Sequence, residues 1–257
     1  MGVTTEIWVA LLLGLSVAGG ILLVRWGVDW GSTPDERARV MPGDEYLEGG
    51  SRVRVEMTRA ISINAAPEVV WPWIAQLGRG AGWYSVDRLD NGRKTSAQHI
   101  VSWIPEPQLG DATAIGYLRH IDLDRSLAWW ADGAHFLGSR TRLVSSFVME
   151  QEGPGTRLVS RMSADATGIS ADLAVFVFRM VDSIMATRQL VGIRDRIENR
   201  EAAPGLPPKD PENGSRDQYQ FYEVIYANGE KAGVSGKEDG IRWRQSAIAD
   251  GVFRTGD

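Results

Sequence analysis

An uncharged run near the N-terminus limits the possible folds of this chain more than any other feature. Residues 7–24, IWVALLLGLSVAGGILLV, are bounded by Glu6 and Arg25 and include eleven Leu, Ile or Val residues. About 18 helical residues span roughly 27 Å, close to the thickness of the hydrocarbon core of a bilayer. The aliphatic side chains favour insertion by roughly 3 to 6 kcal/mol. The run predicts a transmembrane anchor within residues 1–29.

A cleaved signal peptide is the alternative interpretation, with a small-residue cleavage site at residues 16–18. No Lys or Arg precedes the run, and the run continues well past this site, so an uncleaved anchor is favoured. Three arginines follow the run, namely Arg25, Arg37 and Arg39. The positive-inside rule therefore predicts a single-pass membrane protein whose soluble domain is cytoplasmic.

Composition and charge exclude several classes of site. The net charge of -5 gives no support for nucleic-acid binding, which usually shows as a basic domain. The chain has no cysteine, which excludes disulfides, thiolate metal sites and cysteine nucleophiles. Its three histidines, His99, His120 and His135, match no paired ligand spacing. The sequence therefore predicts neither a metal nor a cofactor.

Changes in residue pattern divide the rest of the chain. Residues 30–50 form a polar connector marked by Gly and Pro, and residues 51–202 carry the apolar periodicity of a folded domain. Residues 203–217 are a Pro/Gly linker, and residues 218–257 form a small C-terminal extension. Within the extension, Asn228-Gly229 between two strand-like runs predicts a hairpin.

The main domain reads as strands followed by one long helix. Residues 53–63 alternate between apolar and polar side chains, and two later strand-like runs are joined by EGPG, a hairpin turn. One face of that hairpin is apolar with scattered hydroxyls, whereas the other carries four arginines and is predicted to be solvated. From Ser170 to about Arg200 the apolar residues keep helical spacing. This order predicts an α+β fold, in which a long C-terminal helix lies across a curved antiparallel sheet.

The glycines of GRGAGWYSVDRLDN, residues 78–91, raise the question of a nucleotide-binding loop. A dinucleotide fingerprint needs its glycines between a strand and the helix that they open, whereas these follow a predicted helix. We interpret them as turn residues that bring Trp83 and Tyr84 back over the fold.

Three stretches resemble the SRPBCC, or START-like helix-grip, superfamily, and in particular its bacterial polyketide cyclase/dehydrase and lipid-transport branch. They are TRAISINAAPEVVWPWIAQLGRGAGWYSVDRLDN, WIPEPQLGD and MATRQLVGIRDRIENR, and they follow WGSTPDERARVMPGDE. The resemblance covers roughly residues 30–200. It implies a seven-stranded antiparallel sheet that grips a long C-terminal helix, with a hydrophobic cavity between them.

Two functions remain open at this point. The first is a membrane-anchored protein that binds or transfers a hydrophobic small molecule or lipid, such as an isoprenoid or polyketide, in that cavity. The second is a cyclase, aromatase or dehydratase that uses general acid or base groups such as His120, Asp87 or Tyr84 in the same cavity. Binding is favoured because no convergent acid/base set emerges from the spacing. The predicted ligand-binding residues are Trp83, Tyr84, Asp87, Trp103, His120, Trp129, Phe147, Met162, Phe176 and Met180. No protein partner is predicted.

Overall fold

A computed structural model describes residues 3–49, 53–199, 219 and 224–232. The predicted linker at 203–217 lies outside the described residues. The helices are α1 Val3–Gly27, α2 Pro34–Ala38, α3 Pro67–Ala75, α4 Asp87–Asp90 and α5 Ala171–Glu198, with one 3₁₀ turn at Asp44–Leu47. The strands are β1 Val53–Ile63, β2 Ala112–Thr113, β3 Gly116–Asp122, β4 Ser126–Phe136, β5 Ser139–Glu152, β6 Gly155–Thr167, β7 Val224–Ile225 and β8 Lys231–Ala232.

The strands form one antiparallel sheet in the order β1-β6-β5-β4-β3-β2-β7-β8. The predicted hairpin at EGPG is confirmed, since β5 and β6 pair from Glu152 opposite Gly155 to Arg140 opposite Thr167. The predicted alternation of residues 53–63 is also confirmed: Met57 and Ile61 share one face of β1, and Thr58 and Ala60 share the other.

Helix α5 covers one face of the sheet, which we call the inner face. Near its C-terminal end, Leu190 and Ile193 are fully buried in the main hydrophobic cluster. Near its middle, Asp182 forms an ion pair of 2.7 Å with Arg59 of β1, whose side chain is 1% exposed. Arg59 is the one charged residue on the apolar side of β1, and its partner on α5 explains how it is tolerated there. The α+β arrangement of antiparallel sheet and long C-terminal helix is confirmed, and it is consistent with a helix-grip fold.

The other face of the sheet, the outer face, is covered by the connector, so the prediction that its arginines are solvated is wrong for two of the four. Arg161 is 2% exposed and donates to the backbone carbonyls of Glu36, Arg37 and Arg39. Arg157 donates 2.7 Å to Glu36. The connector binds here because these guanidinium donors satisfy carbonyl groups left free by the short helix α2.

Helix α1 is the one described helix whose length and composition suit a bilayer crossing, over Glu6–Gly27, and 14% of its most apolar window is buried. The buried part lies at its C-terminal end. Val24 and Val28 join a cluster with Val55 and Met57 of β1, and Gly27 lies against Ser183 of α5. The end of α1 is therefore part of the fold's core.

The described part of the C-terminal extension adds to the sheet. The hairpin predicted at Asn228-Gly229 is confirmed, because β7 and β8 pair on either side of it. Ile225 of β7 pairs with Ala112 of β2, so the extension lengthens the sheet at the edge opposite β1. Among the described residues the sheet has eight strands. Six lie in the region of the resemblance, one fewer than the seven that it implied, and two belong to the extension.

Candidate functional site

Five of the ten predicted ligand-binding residues lie together beneath the C-terminal half of α5. Trp83, Tyr84, Trp129 and Phe147 belong to the main buried cluster, and Trp103 packs against it. Leu190 and Ile193 of α5 lie in the same cluster. Aromatic side chains from the glycine loop and from strands β4 and β5 therefore meet at the inner face.

The glycines of residues 78–91, which we call the glycine loop, act as turn residues, as predicted. Gly78 has a φ of 66°, and a Cβ there would lie 2.3 Å from the Trp83 ring, so only glycine fits. The loop also touches α5 closely, because a Cβ on Gly192 would lie 2.2 Å from the carbonyl oxygen of Tyr84. Gln189 of α5 donates to the carbonyl of Trp83 at 3.0 Å. The loop is thereby fixed between α3 and α5.

Buried polar groups that the sequence analysis missed hold this loop. Gln76, 2% exposed, donates to the Tyr84 hydroxyl and, at 3.1 Å, to the His99 carbonyl, and it accepts from the Val101 amide at 2.9 Å. All three interactions satisfy groups that burial would otherwise leave unpaired. A glutamine two residues before a glycine turn carries no motif signal, so spacing alone could not identify it.

Asp87 has a structural role in the same region. Its carboxylate accepts from the Ser96 hydroxyl at 2.6 Å and from the Ser96 amide at 3.0 Å. These bonds close the loop that follows α4. The nearby carboxyl of Asp90 is buried and bonded to Ser85; burial raises the pKa of Asp90 above its ordinary value, and the charge of Asp87 raises it further.

His120 faces away from the predicted cavity, which corrects the orientation assumed for it. The register of β3 against β4 shifts between Leu118 and His120, so a bulge interrupts the alternation of side chains. His120 pairs with Ala128 and lies 2.9 Å from the Ser126 hydroxyl, both on the outer face. A bulge has no reliable signal in a single sequence, and strict alternation therefore gave the wrong face.

The remaining predicted residues form a second group beside α1. Met162 and Met180 pack against the cluster that contains Val24 of α1. Phe176 lies near Gly20, where a Cβ would be 3.7 Å from the Phe176 ring, and it stays 36% exposed. The predicted ligand residues of the inner face are therefore divided between a fully buried group under the end of α5 and a half-exposed group under its beginning.

Two adjacent tryptophans of β4 bury indole N–H groups that have no acceptor among the described residues. Trp129 is fully buried on the inner face, and Trp130 is 7% exposed on the outer face. An unpaired buried donor costs about 1–3 kcal/mol. On the inner face, a ligand oxygen would recover this cost.

A small cavity of about 80 Å³ lies beside α3 rather than under α5. Trp71, Gln76 and Arg79 line one side, and the loop from Ile100 to Pro107 lines the other. Arg79, 1% exposed, forms an ion pair of 2.6 Å with Asp111, which also accepts from the Ala227 amide of the extension. Because drug-sized ligands need roughly 300–1,000 Å³, this cavity suits one or two small groups.

Among the residues that the structure describes, no group of three His, Asp or Glu side chains has the arrangement of a metal site. Tyr84 lies on the inner face and His120 on the outer face. Tyr84 and Asp87 are both linked to Ser96, through the Tyr84 amide and the Asp87 carboxylate, whereas His120 lies apart from them. The three acid/base groups named for the enzyme hypothesis therefore do not form one set.

Comparison with known proteins found no matching family model and no matching curated protein. Solved structures with which the chain aligns include aromatase/cyclase proteins. The di-domain aromatase/cyclase BexL is 16% identical, with 63% of this chain and 54% of that chain covered and a TM-score of 0.40. The Zhui aromatase/cyclase from a Streptomyces species is 13% identical, with 60% and 99% covered and a TM-score of 0.39.

A protein from Mesorhizobium loti is 12% identical, with 58% of this chain and 100% of that chain covered and a TM-score of 0.36. The chain spans about half the length of the two di-domain proteins it matches, BexL and StfQ. The Mesorhizobium loti protein and the Zhui protein are, by contrast, covered almost completely.

Proposed function

We propose that this protein is a single-pass membrane protein whose cytoplasmic domain binds, and passes on, a hydrophobic small molecule or lipid between the sheet and α5. The observation that carries the proposal is Trp129, a fully buried indole on the inner face whose N–H has no acceptor among the described residues. An apolar pocket with one or two fixed polar groups is the usual form of a site for such ligands. Trp129 would donate to an oxygen of the ligand.

Entry of a ligand requires the beginning of α5 to move away from the sheet. At the far end of α5, Leu190 and Ile193 are fully buried. At the near end, Val175 and Met180 are half-buried, and Met162 packs against the same cluster. Local opening occurs most readily where few apolar groups are fully buried, so the part of α5 that precedes the Asp182 ion pair is expected to separate.

The methionines in this region can adapt to ligands of different shapes. Met162 of β6 and Met180 of α5 both pack against the cluster that contains Val24 and Met57. Unbranched, polarisable thioether side chains adapt to irregular apolar shapes with little cost. A ligand that lies along them would reach Trp129 from the side of α1.

We do not propose the cyclase or dehydratase alternative for this chain. The carboxylate of Asp87 is engaged by Ser96, the hydroxyl of Tyr84 accepts from Gln76, and His120 lies on the outer face. General acid/base catalysis needs such groups within hydrogen-bond reach of one substrate.

The test compares Trp129→Phe with Trp130→Phe in the full-length protein. Both changes remove a buried, unpaired indole N–H and keep an aromatic ring, but only Trp129 is on the inner face. Native mass spectrometry after mild detergent extraction should show bound hydrophobic compounds on the unmodified protein and on Trp130→Phe, and a several-fold lower bound fraction on Trp129→Phe.

Equal retention by both variants would remove Trp129 from the proposal. No bound compound on any of the three proteins, together with no uptake of added fatty acid or isoprenoid alcohol, would refute ligand binding in this space.

A further inference from the structure

Helix α1 runs in the same direction as α5 and projects beyond the point where α5 begins. Gly27 lies against Ser183, and Gly20 lies against Met180 and Phe176, so earlier residues of α1 lie beside earlier residues of α5. Gly20 is the first residue of α1 described as buried. The part of α1 before Gly20 therefore leaves the domain at the end where α5 starts.

Four exposed apolar side chains surround this point of exit, and we call them the apolar rim. They are Leu137 at 50% exposed, Ile169 at 110%, Leu173 at 59% and Phe176 at 36%. Leu137 is in the turn between β4 and β5, Ile169 just precedes α5, and Leu173 and Phe176 are in the first two turns of α5. Large apolar side chains clustered on one surface mark an interaction site more often than scattered ones do.

Hydrogen bonds hold the residues of the apolar rim in place. The Ser170 hydroxyl donates to the Leu137 carbonyl at 2.7 Å and lies 3.0 Å from the Ser139 hydroxyl, which joins the β4–β5 turn to the start of α5. Leu137 also has a φ of 47°, a conformation that favours Gly or Asn. An exposed leucine held in this conformation contributes nothing evident to the fold, and such outliers point to function.

We propose that the apolar rim is immersed in the membrane surface beside α1, so that the opening under the start of α5 faces lipid directly. This proposal rests on the membrane anchoring included in the proposed function, and not on the identity of any ligand. It specifies the partner of the rim as the lipid bilayer that α1 crosses.

The length of α1 supports this arrangement. With Gly20 and later residues packed on the domain, 13 residues of the uncharged run, 7–19, remain free, and they span only about 20 Å of a hydrocarbon core of roughly 30 Å. A domain that stayed above the headgroups would leave α1 too short. Immersion of the rim by about 5–10 Å, the depth usual for apolar interfacial surfaces, removes the deficit.

The described part of the C-terminal extension does not cover the rim. Its described strands β7 and β8 lie at the edge of the sheet beyond β2, whereas α1 lies beside β1 at the other edge. The last described residue of the extension, Ala232, pairs with Val224 at that far edge.

The experiment uses the absence of cysteine from the natural chain, so that a single introduced cysteine reports one position. Leu137→Cys and Ile169→Cys place an environment-sensitive fluorophore on the rim of the full-length protein in nanodiscs with one chain per disc. Leu123→Cys is the matched control, since Leu123 is 64% exposed in the turn at the other end of β4. The two turns are separated by the 11 residues of β4, roughly 35 Å.

We expect the two rim positions to show blue-shifted emission, several-fold weaker quenching by aqueous iodide than position 123, and quenching by nitroxide-labelled lipid. Rim positions as open to iodide as position 123 would overturn the proposal and leave ligand binding untouched. Protection that appears only with two chains per disc would assign the rim to a second copy of the chain, and would also overturn it. Absence of bound compound in mass spectrometry, with the rim still in lipid, would refute the proposed function alone.

Discussion

The ion pair between Arg59 and Asp182 should dominate the coupling of α1, β1 and α5. Arg59 is 1% exposed and Asp182 11%, their charged atoms are 2.7 Å apart, and Arg59 also donates to the carbonyl of Gly27 at 2.5 Å. Burial raises the pKa of Asp182, and the charge of Arg59 opposes that rise. Replacing Arg59 by Met leaves a buried carboxylate without its partner.

Removing one member of a buried pair costs about 3–5 kcal/mol, whereas replacing both by apolar groups is often neutral. At about 2–4 °C for each kcal/mol in a protein of this size, Arg59→Met should lower the Tm by roughly 6 to 20 °C. The double variant Arg59→Met, Asp182→Leu should recover most of this loss. Arg54→Met is the control, because Arg54 and Glu56 form an exposed ion pair on the same strand. This change should lower the free energy of unfolding by less than about 1 kcal/mol.

The pH dependence gives a second measure of the same pair. Without Arg59, the raised pKa of Asp182 means that the folded state favours the protonated carboxyl, so stability should be lost as the pH rises through that pKa. Circular dichroism melts of the full-length protein in detergent at several pH values would follow both effects. A neutral Arg59→Met variant, or a double variant no more stable than either single one, would refute the coupling.

Three further results are expected from thermal melts of the same kind. Gly192→Ala should lower the Tm, because the added Cβ would lie 2.2 Å from the Tyr84 carbonyl oxygen. In an unobstructed helix the same change usually raises stability by about 1 kcal/mol. A variant more stable than the unmodified protein would contradict this packing. Asp90→Asn should raise the Tm at neutral pH. Burial raises the pKa of Asp90, so the contribution of its protonated carboxyl to stability is lost as the pH rises. The gain in Tm should vanish in acid, and a gain that is constant with pH would refute the reasoning. Glu36→Gln should lower the Tm at neutral pH: burial tends to raise the pKa of Glu36, but its bonds to Arg157 lower it overall, so its stabilisation is present above the ordinary carboxyl pKa and lost as the pH falls. A difference from the unmodified protein that persists in strong acid would exclude that explanation.

Periodicity predicted the parts of the fold in which side chains alternate without interruption. The extent of α5 agrees with its predicted helical spacing, but the apolar residues Leu173 and Phe176 of that series are exposed, whereas Ala174 and Ser183 are buried. Met57 and Ile61 on β1, and the β5–β6 hairpin, follow a strict two-residue period. These patterns are set by burial of one face, so one sequence is enough to show them. The prediction failed at His120, where one extra residue in β3 turns the side chain to the outer face.

The candidate site was harder to predict because its supports are distant in sequence. Tyr84 is fixed by Gln76 and by contact with Gly192, and Arg161 binds connector carbonyls more than a hundred residues earlier. No local pattern marks such pairs, since each side chain alone is compatible with a solvated position. The aromatic residues could be selected by type, but their division into a buried group and a half-exposed group depends on where α1 packs.

Helix α1, which hydropathy predicts to be a membrane anchor, also contributes its C-terminal end to the core of the domain. The hydropathy of residues 1–29 predicts an anchor. Val24 and Val28 are nevertheless buried with Met57, and the carbonyl of Gly27 accepts a hydrogen bond from the guanidinium of Arg59. Under the proposed anchoring, a flexible tether would let the domain take any orientation above the membrane. A helix whose last two turns are part of the core would fix that orientation instead, because rotation of the domain about the anchor would break the contact of Gly27 with α5. The direction in which the proposed opening under α5 would face is therefore set by the fold itself.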